Sequence, residues 1–300
     1  PFAPEFVVPL SQHSGTPARP CVHVGQEVVR GEPIAKASGF ISIAMHAPVT
    51  GTVVAIEPRP NTNGEMVPSI VVRAYSGATQ EVLYRVQRDV TAMSPKEIVD
   101  AVQAAGIVDE LVAPFPAHVK LAAPEGAEIT TLIVNCCRAG CDHASDARLL
   151  IEHAADIHAG IALVQHALGA SQTIVAIEDD LSSAAEALLA SQKCCATTTV
   201  AKSQSTQRGE KEIVKEMLGK AVPERGLAAQ VGAVVFGLGT VAQIGALLPA
   251  GEGLTEQVIT ISGPGVEHPG NYRVAIGTPF QFALRHAGVS DVLEAPNGDV

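Results

Sequence analysis

The 300 residues contain no tryptophan, and aromatic residues of all kinds make up only 3%. A core without large rings must be built from Ala, Val, Leu and Ile, which suits parallel strands covered by small-residue helices. Charged residues are also scarce, at 17%, and the 20 basic side chains are outnumbered by 31 acidic ones. No basic cluster interleaved with aromatics occurs, so nucleic acid is not an expected partner. The six cysteines include no C-x-x-C pair, and six in a chain of this size do not make a disulfide framework. No G-x-S-x-G, H-E-x-x-H or phosphate-loop Walker sequence is present, which removes the commonest hydrolase and nucleotide-triphosphatase signatures. No signal peptide is visible, and a reducing cytoplasm is the default compartment. The start at Pro1 without methionine, and an end soon after a new strand pattern, raise the expectation of a piece of a longer chain.

One apolar run needs a decision. Val231–Leu248 (VGAVVFGLGTVAQIGALL) approaches the length of a membrane span. Gly237 and Gly239 divide it into a strand-length and a helix-length piece, and Pro249 is expected to close it. A buried strand, turn and helix is therefore expected, with no direct membrane span.

A chain this long buries roughly 75% of its unfolded surface, enough for two or three domains. In Pro9–Ile56, Val-rich stretches flank Gly25-Gln26 and Gly31-Glu32-Pro33, and a further apolar strand follows Ala47-Pro48-Val49-Thr50-Gly51. Short strands with Gly and Pro at the corners describe a small all-β unit. Residues 76–93 read as a polar linker. Ser94-Pro95-Lys96-Glu97 then opens a helix, with Ser94 as N-cap and Glu97 reaching back. From there strand-like segments (Thr131–Val134, Thr173–Ile177, Thr197–Val200, Gly232–Phe236, Gln257–Ser262) alternate with helix-like ones. The latter are Asp146–Leu168, Ser182–Ser191, Glu210–Leu218 and Thr240–Leu248. This alternation predicts a doubly wound parallel sheet, with ligands beyond the carboxyl ends of the strands.

The β unit has the spacing of a barrel-sandwich hammerhead of the kind that carries biotin or lipoate. Phe40 stands where such carriers place their lysine, and Lys36 is four residues off, so the carrier chemistry is absent. PLSQHSGTPARP, ASGF and HAPVTGTVVAIEPRP closely resemble the N-terminal part of RnfC, the C subunit of the Rnf (Rsx) ion-translocating electron-transport complex. The resemblance implies a barrel-sandwich hybrid over residues 1–75, and an FMN- and NADH-binding α/β domain over 94–255, similar to the flavoprotein subunit of complex I. It further implies an incomplete β-grasp (SLBB-like) segment over 256–300. It also implies 4Fe–4S clusters in a C-terminal ferredoxin-like domain that this chain does not contain. The implied setting is the cytoplasmic face of the inner membrane, as a peripheral partner of other subunits of the complex. The implied role is an electron-transfer subunit of an NADH:ferredoxin-type oxidoreductase.

By that resemblance, Phe115 and Lys120 of F-P-x-x-x-K, Asn135, Gly209-Glu210-Lys211 and Gly239-Thr240 are the candidate cofactor-binding residues. The family's glycine-rich loop is here Asp109, Glu110, Leu111 and Val112, and Arg138 and Gly140 replace glutamates. Bare backbone amides are what lets a loop approach a phosphate, so carboxylates there add like charge. Gly237-Leu238-Gly239-Thr240-Val241-Ala242 also fits the dinucleotide pattern G-x-G-x-x-A, although that fingerprint belongs on the first strand of its fold. Cys136, Cys137, Cys141 and His143 are weak metal candidates, because adjacent cysteines suit one tetrahedral ion poorly. Histidines 153, 158 and 166 are spaced as satisfied core or surface residues. Two other readings remain open: a cofactor-free interaction subunit with a degenerate flavin pocket, and a cysteine-based redox or metal-binding variant.

Overall fold

The computed structural model describes residues 2–61, 64–109, 111, 114–124, 126–137, 143–178, 181, 183–184, 188, 198–202 and 209–289. The chain divides into two compact units. The first comprises residues 1–86, 104–106 and 252–300, and the second 87–103 and 107–251.

The first unit begins with β1 (Glu5–Pro9), β2 (Arg19–Pro20), β3 (Glu27–Val28), β4 (Pro33–Lys36), β5 (Met45–His46), β6 (Gly51–Pro60) and β7 (Met66–Ala74). These form two antiparallel sheets, ordered β1-β7-β6-β3 and β2-β4-β5. Alternation along β1 buries Phe6 and Val8, which pack with Ile34, Val53, Ile70 and Val72 in one core. The Val-rich stretch before Gly25 does not form a strand, and Val24 is exposed. The chain instead turns at Gly25, whose φ of +88° is left-handed and whose N–H donates to the Val53 carbonyl. Glycine reaches that conformation without the Cβ clash. Phe40 lies exposed on the connection between β4 and β5, and Lys36 ends β4.

In the second unit, α1 (Pro95–Ala105) starts with the expected capping box, Ser94 N–H and Oγ both donating to Glu97 Oε2 at 2.8 and 2.6 Å. A short antiparallel ladder follows, β8 (Val108–Asp109) with β9 (Phe115–Pro116), leading into α2 (Ala117–Leu121). Then come β10 (Thr131–Asn135), α3 (His143–Glu152), α4 (Ala154–Leu168), β11 (Gln172–Ile177), β12 (Thr198–Lys202), α5 (Glu210–Leu218), β13 (Ala233–Gly237) and α6 (Leu238–Ala250).

The four strands β12-β11-β10-β13 are all parallel. The first strand, β10, lies in the middle with its successor on one side and the fourth strand on the other. Strand order therefore reverses between β10 and β13, a topological switch point where α/β sheets open a crevice. Asn135 and Gly237 face each other across that reversal as register partners. The run Val231–Leu248 resolves, as expected, into a buried strand and helix. Among the described residues no helix is long and apolar enough to cross a membrane.

Two details differ from expectation. The predicted helix 146–168 is two helices, broken at His153 with φ −119° and ψ 27°. There the Asp156 carboxylate lies 2.9 Å from the imidazole Nδ1, a local side-chain contact at the break. Pro249 sits inside α6, which runs on to a left-handed cap at Gly251. Most of the predicted helix 182–191 lies outside the described residues.

Helices α4 and α6 touch through glycine. A Cβ at Gly160 would stand 1.9 Å from the Val241 carbonyl oxygen, and one at Gly245 1.8 Å from that of Asp156. The remaining elements, β14 (Glu256–Ile261), β15 (Gly270–Ala275) and α7 (Phe280–His286), belong to the first unit. The two strands pair antiparallel, and Ile261, Ala283 and Ala287 form a small core beneath them.

Candidate functional site

The carboxyl end of β13 carries the opening of α6, and that opening has no cap of its own. Gly237 is the N-cap residue and has no side chain to accept the free amides of the first turn. An acceptor for the N-cap amide itself comes from Asp109, at the end of β8. Its Oδ1 takes the Gly237 N–H at 3.0 Å and the Thr240 hydroxyl at 2.9 Å. A carboxylate at a helix N-terminus is favoured by the dipole as well as by the free amides.

The second oxygen of Asp109 is equally engaged. Its Oδ2 lies 2.9 Å from Lys120 Nζ, and the same ammonium contacts Glu210 Oε2 at 2.9 Å. Lys120 also sits 5.3 Å above the centre of the Phe236 ring, a cation–π approach. Burial alone would lower the lysine pKa, but the Asp109 and Glu210 carboxylates outweigh it and the net shift is upward. Lys120 is thus a charged group between two acids. Asp109 and Thr240 are buried, and the Glu210 side chain is about a quarter exposed, at 28%.

Three of the predicted residues, Lys120, Glu210 and Thr240, therefore converge through Asp109. Gly239 lies in the same turn, and a Cβ there would meet nothing within 4 Å. Asn135 lies at the carboxyl end of the neighbouring strand. Its Oδ1 accepts the Cys137 N–H at 2.8 Å, whereas its buried Nδ2 has no hydrogen-bond partner among the described residues. Phe115 is the register partner of Asp109 in the β8–β9 ladder and so helps position it.

Lys211 points elsewhere. Its ammonium donates to the carbonyls of Pro223, at 3.0 Å, and Glu224. Gly209 is the N-cap residue of α5, which aims Glu210 toward Lys120. Cys136 and Cys137 are buried and form no disulfide among the described residues, with Cys137 packed beside Ile133 and Val235. Cys141, the side chain of His143, Arg138, Glu110 and Val112 lie outside the described residues. Among the described residues no group of three potential ligands could hold a metal ion. The histidines behave as expected, with His158 Nε2 3.1 Å from the Leu188 carbonyl oxygen and His166 Nε2 2.9 Å from that of Met93.

Sequence reasoning placed Asp109 near the site but missed what it does. Its partners Gly237 and Thr240 lie 128 and 131 residues away, and no local pattern links a strand-end aspartate to a distant uncapped helix.

The geometry also tests whether an anionic cofactor fits this turn. The cluster holds one cation against two carboxylates. The N–H of Gly237, the hydroxyl of Thr240 and the Lys120 ammonium are all bound internally. A phosphate entering here would find the Gly237 amide and the Thr240 hydroxyl already taken and would face Asp109. At 4 Å and an effective dielectric constant of 20, like unit charges repel by about 4 kcal/mol. With Asp109 in place, the residues do not fit the phosphate of a flavin or dinucleotide at this turn.

A unit with two antiparallel sheets, and a second unit with a parallel α/β sheet whose charged cluster lies at the switch point, define a two-unit α/β-plus-β class of protein. Family models agree in three places. Residues 1–76 match the RnfC barrel sandwich hybrid domain, 102–246 the Nuo51 FMN-binding domain and 258–288 the SLBB domain. Over 294 residues, 97% of the chain, it is 36% identical to the C subunit of the ion-translocating oxidoreductase complex of Pseudomonas aeruginosa, covering 38% of that protein. The C subunit of the Na(+)-translocating ferredoxin:NAD(+) oxidoreductase complex of Acetobacterium woodii is 30% identical over 95% of the chain, which covers 65% of it. The chain is an RnfC-like protein, and it spans between about a third and two thirds of the length of these relatives. The crystal structure of the H2-reduced NAD+-reducing [NiFe]-hydrogenase shares the fold. It aligns with 65% of this chain and 39% of its own at a TM-score of 0.53 and 20% identity.

Proposed function

We propose that this chain serves as the RnfC component of a membrane-associated, ion-translocating NADH:ferredoxin-type oxidoreductase, bound peripherally at the cytoplasmic face as an electron-transfer subunit. The observation that carries the reading is the order of three domain types along one chain, matched over 97% of its length by a protein named for that subunit. Support in the α/β domain comes from the switch point, where Lys120, Glu210, Thr240 and Asn135 gather at the carboxyl ends of the strands. These, with Phe115, Gly209 and Gly239, stand where such a domain would present groups to FMN or NADH, although Asp109 holds the donors that a cofactor phosphate would need. Lys211 lies outside the gathering. The implied 4Fe–4S clusters would belong to a further domain of such a protein.

The test is co-purification. Tagged at one end and expressed in its own host, the chain is expected to bring down membrane subunits of such a complex. Its deletion should lower ferredoxin-dependent NAD+ reduction by isolated membranes. A chain that purifies alone, and whose loss leaves that activity intact, would sink the reading.

A second reading is favoured by Asp109. Within the same complex, the α/β domain of this member acts as a cofactor-free interaction module, its packing retained and its anion site closed. Purified protein without flavin absorbance, but still bound to partner subunits, would select this form.

A further inference from the structure

The mouth of α6 has the parts of an anion site. It has a glycine N-cap with its amide aimed outward, a hydroxyl one turn in, and a buried lysine opposite. Such an arrangement binds phosphate or carboxylate readily. What it holds in this chain is a side chain of the chain itself. Asp109 is only 3% exposed, with Oδ1 on the helix and Oδ2 on the lysine. The helix has no side-chain cap from its own N-cap residue that could compete for the position.

We infer that Asp109 is a built-in anionic ligand that occupies the α6 anion site, closing it to phosphate-bearing cofactors and letting the domain fold without one. Three observations support this. Asp109 uses both carboxylate oxygens to accept from an amide, a hydroxyl and an ammonium at ordinary hydrogen-bond distances, as an exogenous carboxylate would. The strand that carries it is pinned by its ladder to Phe115, so the carboxylate is held by backbone and is not a side chain swinging in from a loop. Charge balance also points the same way. With Asp109 the cluster of Lys120, Asp109 and Glu210 carries a net single negative charge, which repels a phosphate. Without it, Lys120 and Glu210 cancel, and the Gly237 amide, the Thr240 hydroxyl and the Lys120 ammonium all turn toward one vacated position.

Removing the carboxylate should therefore convert the turn into a working site for a small oxyanion. Asp109 lies on a strand with ordinary negative φ, so alanine is compatible with its backbone. In Asp109→Ala, formate refills the space of the lost carboxylate, and inorganic phosphate takes the same donors. Asp109→Asn keeps an acceptor on Gly237 and Thr240, fills the space and leaves nothing to rescue.

The experiment titrates FMN, formate and inorganic phosphate into wild type, Asp109→Ala and Asp109→Asn, reading flavin fluorescence and the thermal midpoint. Wild type is expected to show no saturable FMN binding up to millimolar concentration, and no anion-specific rise in midpoint. Asp109→Ala is expected to melt lower than wild type without added anion. Formate or phosphate should restore it saturably by several degrees, with FMN affinity at least about tenfold above wild type. Saturable micromolar binding of FMN to wild type overturns the inference. So does an Asp109→Ala variant whose midpoint responds to the anions no more than wild type or Asp109→Asn. If Asp109→Ala does not fold in anion-free buffer, refolding with and without formate gives the same contrast, and the wild-type arm decides independently. The inference rests on the contacts of Asp109 and not on membership in a complex, so co-purification with membrane subunits and these titrations fail separately.

Discussion

Lys120 and Asp109 form a buried ion pair, 2.9 Å between Nζ and Oδ2, which joins the helix after one strand ladder to the mouth of a helix more than a hundred residues later. Asp109 thereby serves three donors, and each depends on the others. The pair also sets the charge that an anionic cofactor would meet at this turn.

Breaking the pair from the lysine side should be costly. Lys120→Met leaves Asp109 buried with its charge uncompensated, a change that typically costs about 3–5 kcal/mol. Urea unfolding is expected to show a loss near the lower end, because Gly237 and Thr240 still donate. Adding Asp109→Asn should recover part of it. A double variant whose loss equals the sum of the losses of Lys120→Met and Asp109→Asn alone would mean that the pair is not coupled.

The same lysine predicts behaviour in alkali. Its folded pKa is raised above the ordinary 10.5 by the two carboxylates, which outweigh burial. A raised base contributes stability that is complete below the unfolded value and is lost as pH rises through the folded one. Wild type should therefore lose stability above about pH 10 with a steeper slope than Lys120→Met.

His46 predicts the opposite end of the scale. Burial pushes its imidazole down to about 4 from 6.5, so the folded ring stays neutral where the unfolded chain takes up a proton. Stability present above pH 6.5 is lost as pH falls toward 4, by about 3 kcal/mol at most from the size of that shift. His46→Leu is expected to flatten the acid limb of the stability curve in that window. An unchanged limb would show that other groups set it.

Gly160 and Gly245 hold α4 against α6. Since the atoms that an added Cβ would meet are backbone carbonyl oxygens, at 1.9 and 1.8 Å, the helices themselves must move. Gly160→Ala is expected to destabilise the α/β unit by about 3 kcal/mol, the upper range for overpacking. Denaturation midpoints compared with an exposed Gly→Ala control, such as Gly77, check this.

Cysteine chemistry separates by exposure. Cys21 is exposed, whereas Cys136 and Cys137 are almost completely buried. Burial raises the Cys21 pKa, which slows its thiolate chemistry near neutrality. Brief labelling with a maleimide followed by peptide mapping should still modify Cys21 and spare the Cys136–Cys137 peptide until the protein is unfolded. Early labelling of that peptide, or zinc that is lost on Cys136→Ser, would revive a cysteine-based role.

Much of the fold was legible in the chain because its cues are local. Ser94 and Glu97 announce the first helix of the α/β unit. Gly219 ends Glu210–Leu218 where expected, and Gly237 divides an apolar run into strand and helix. The break at His153 has no such cue, because the apolar spacing continues across it. The continuation of α6 past Pro249 is hidden for a related reason. A proline removes one hydrogen bond, but the left-handed glycine two residues later still closes the helix.

The candidate site divides in the same way. From the sequence alone came its residue types: the lysine of F-P-x-x-x-K, the glutamate after Gly209, the asparagine ending a strand and the threonine in a glycine turn. Its acidic departures, Asp109 among them, were visible too. Only the tertiary structure decided that Asp109 faces inward to cap α6 and neutralise Lys120, and that Lys211 turns away toward Pro223 and Glu224. Those outcomes depend on contact between elements far apart in the chain. The end of β13 comes to β8 so closely that Asp109 reaches Gly237 and Thr240, 128 and 131 positions away, at 3.0 and 2.9 Å, and buried charges there take whichever partners cost the least desolvation.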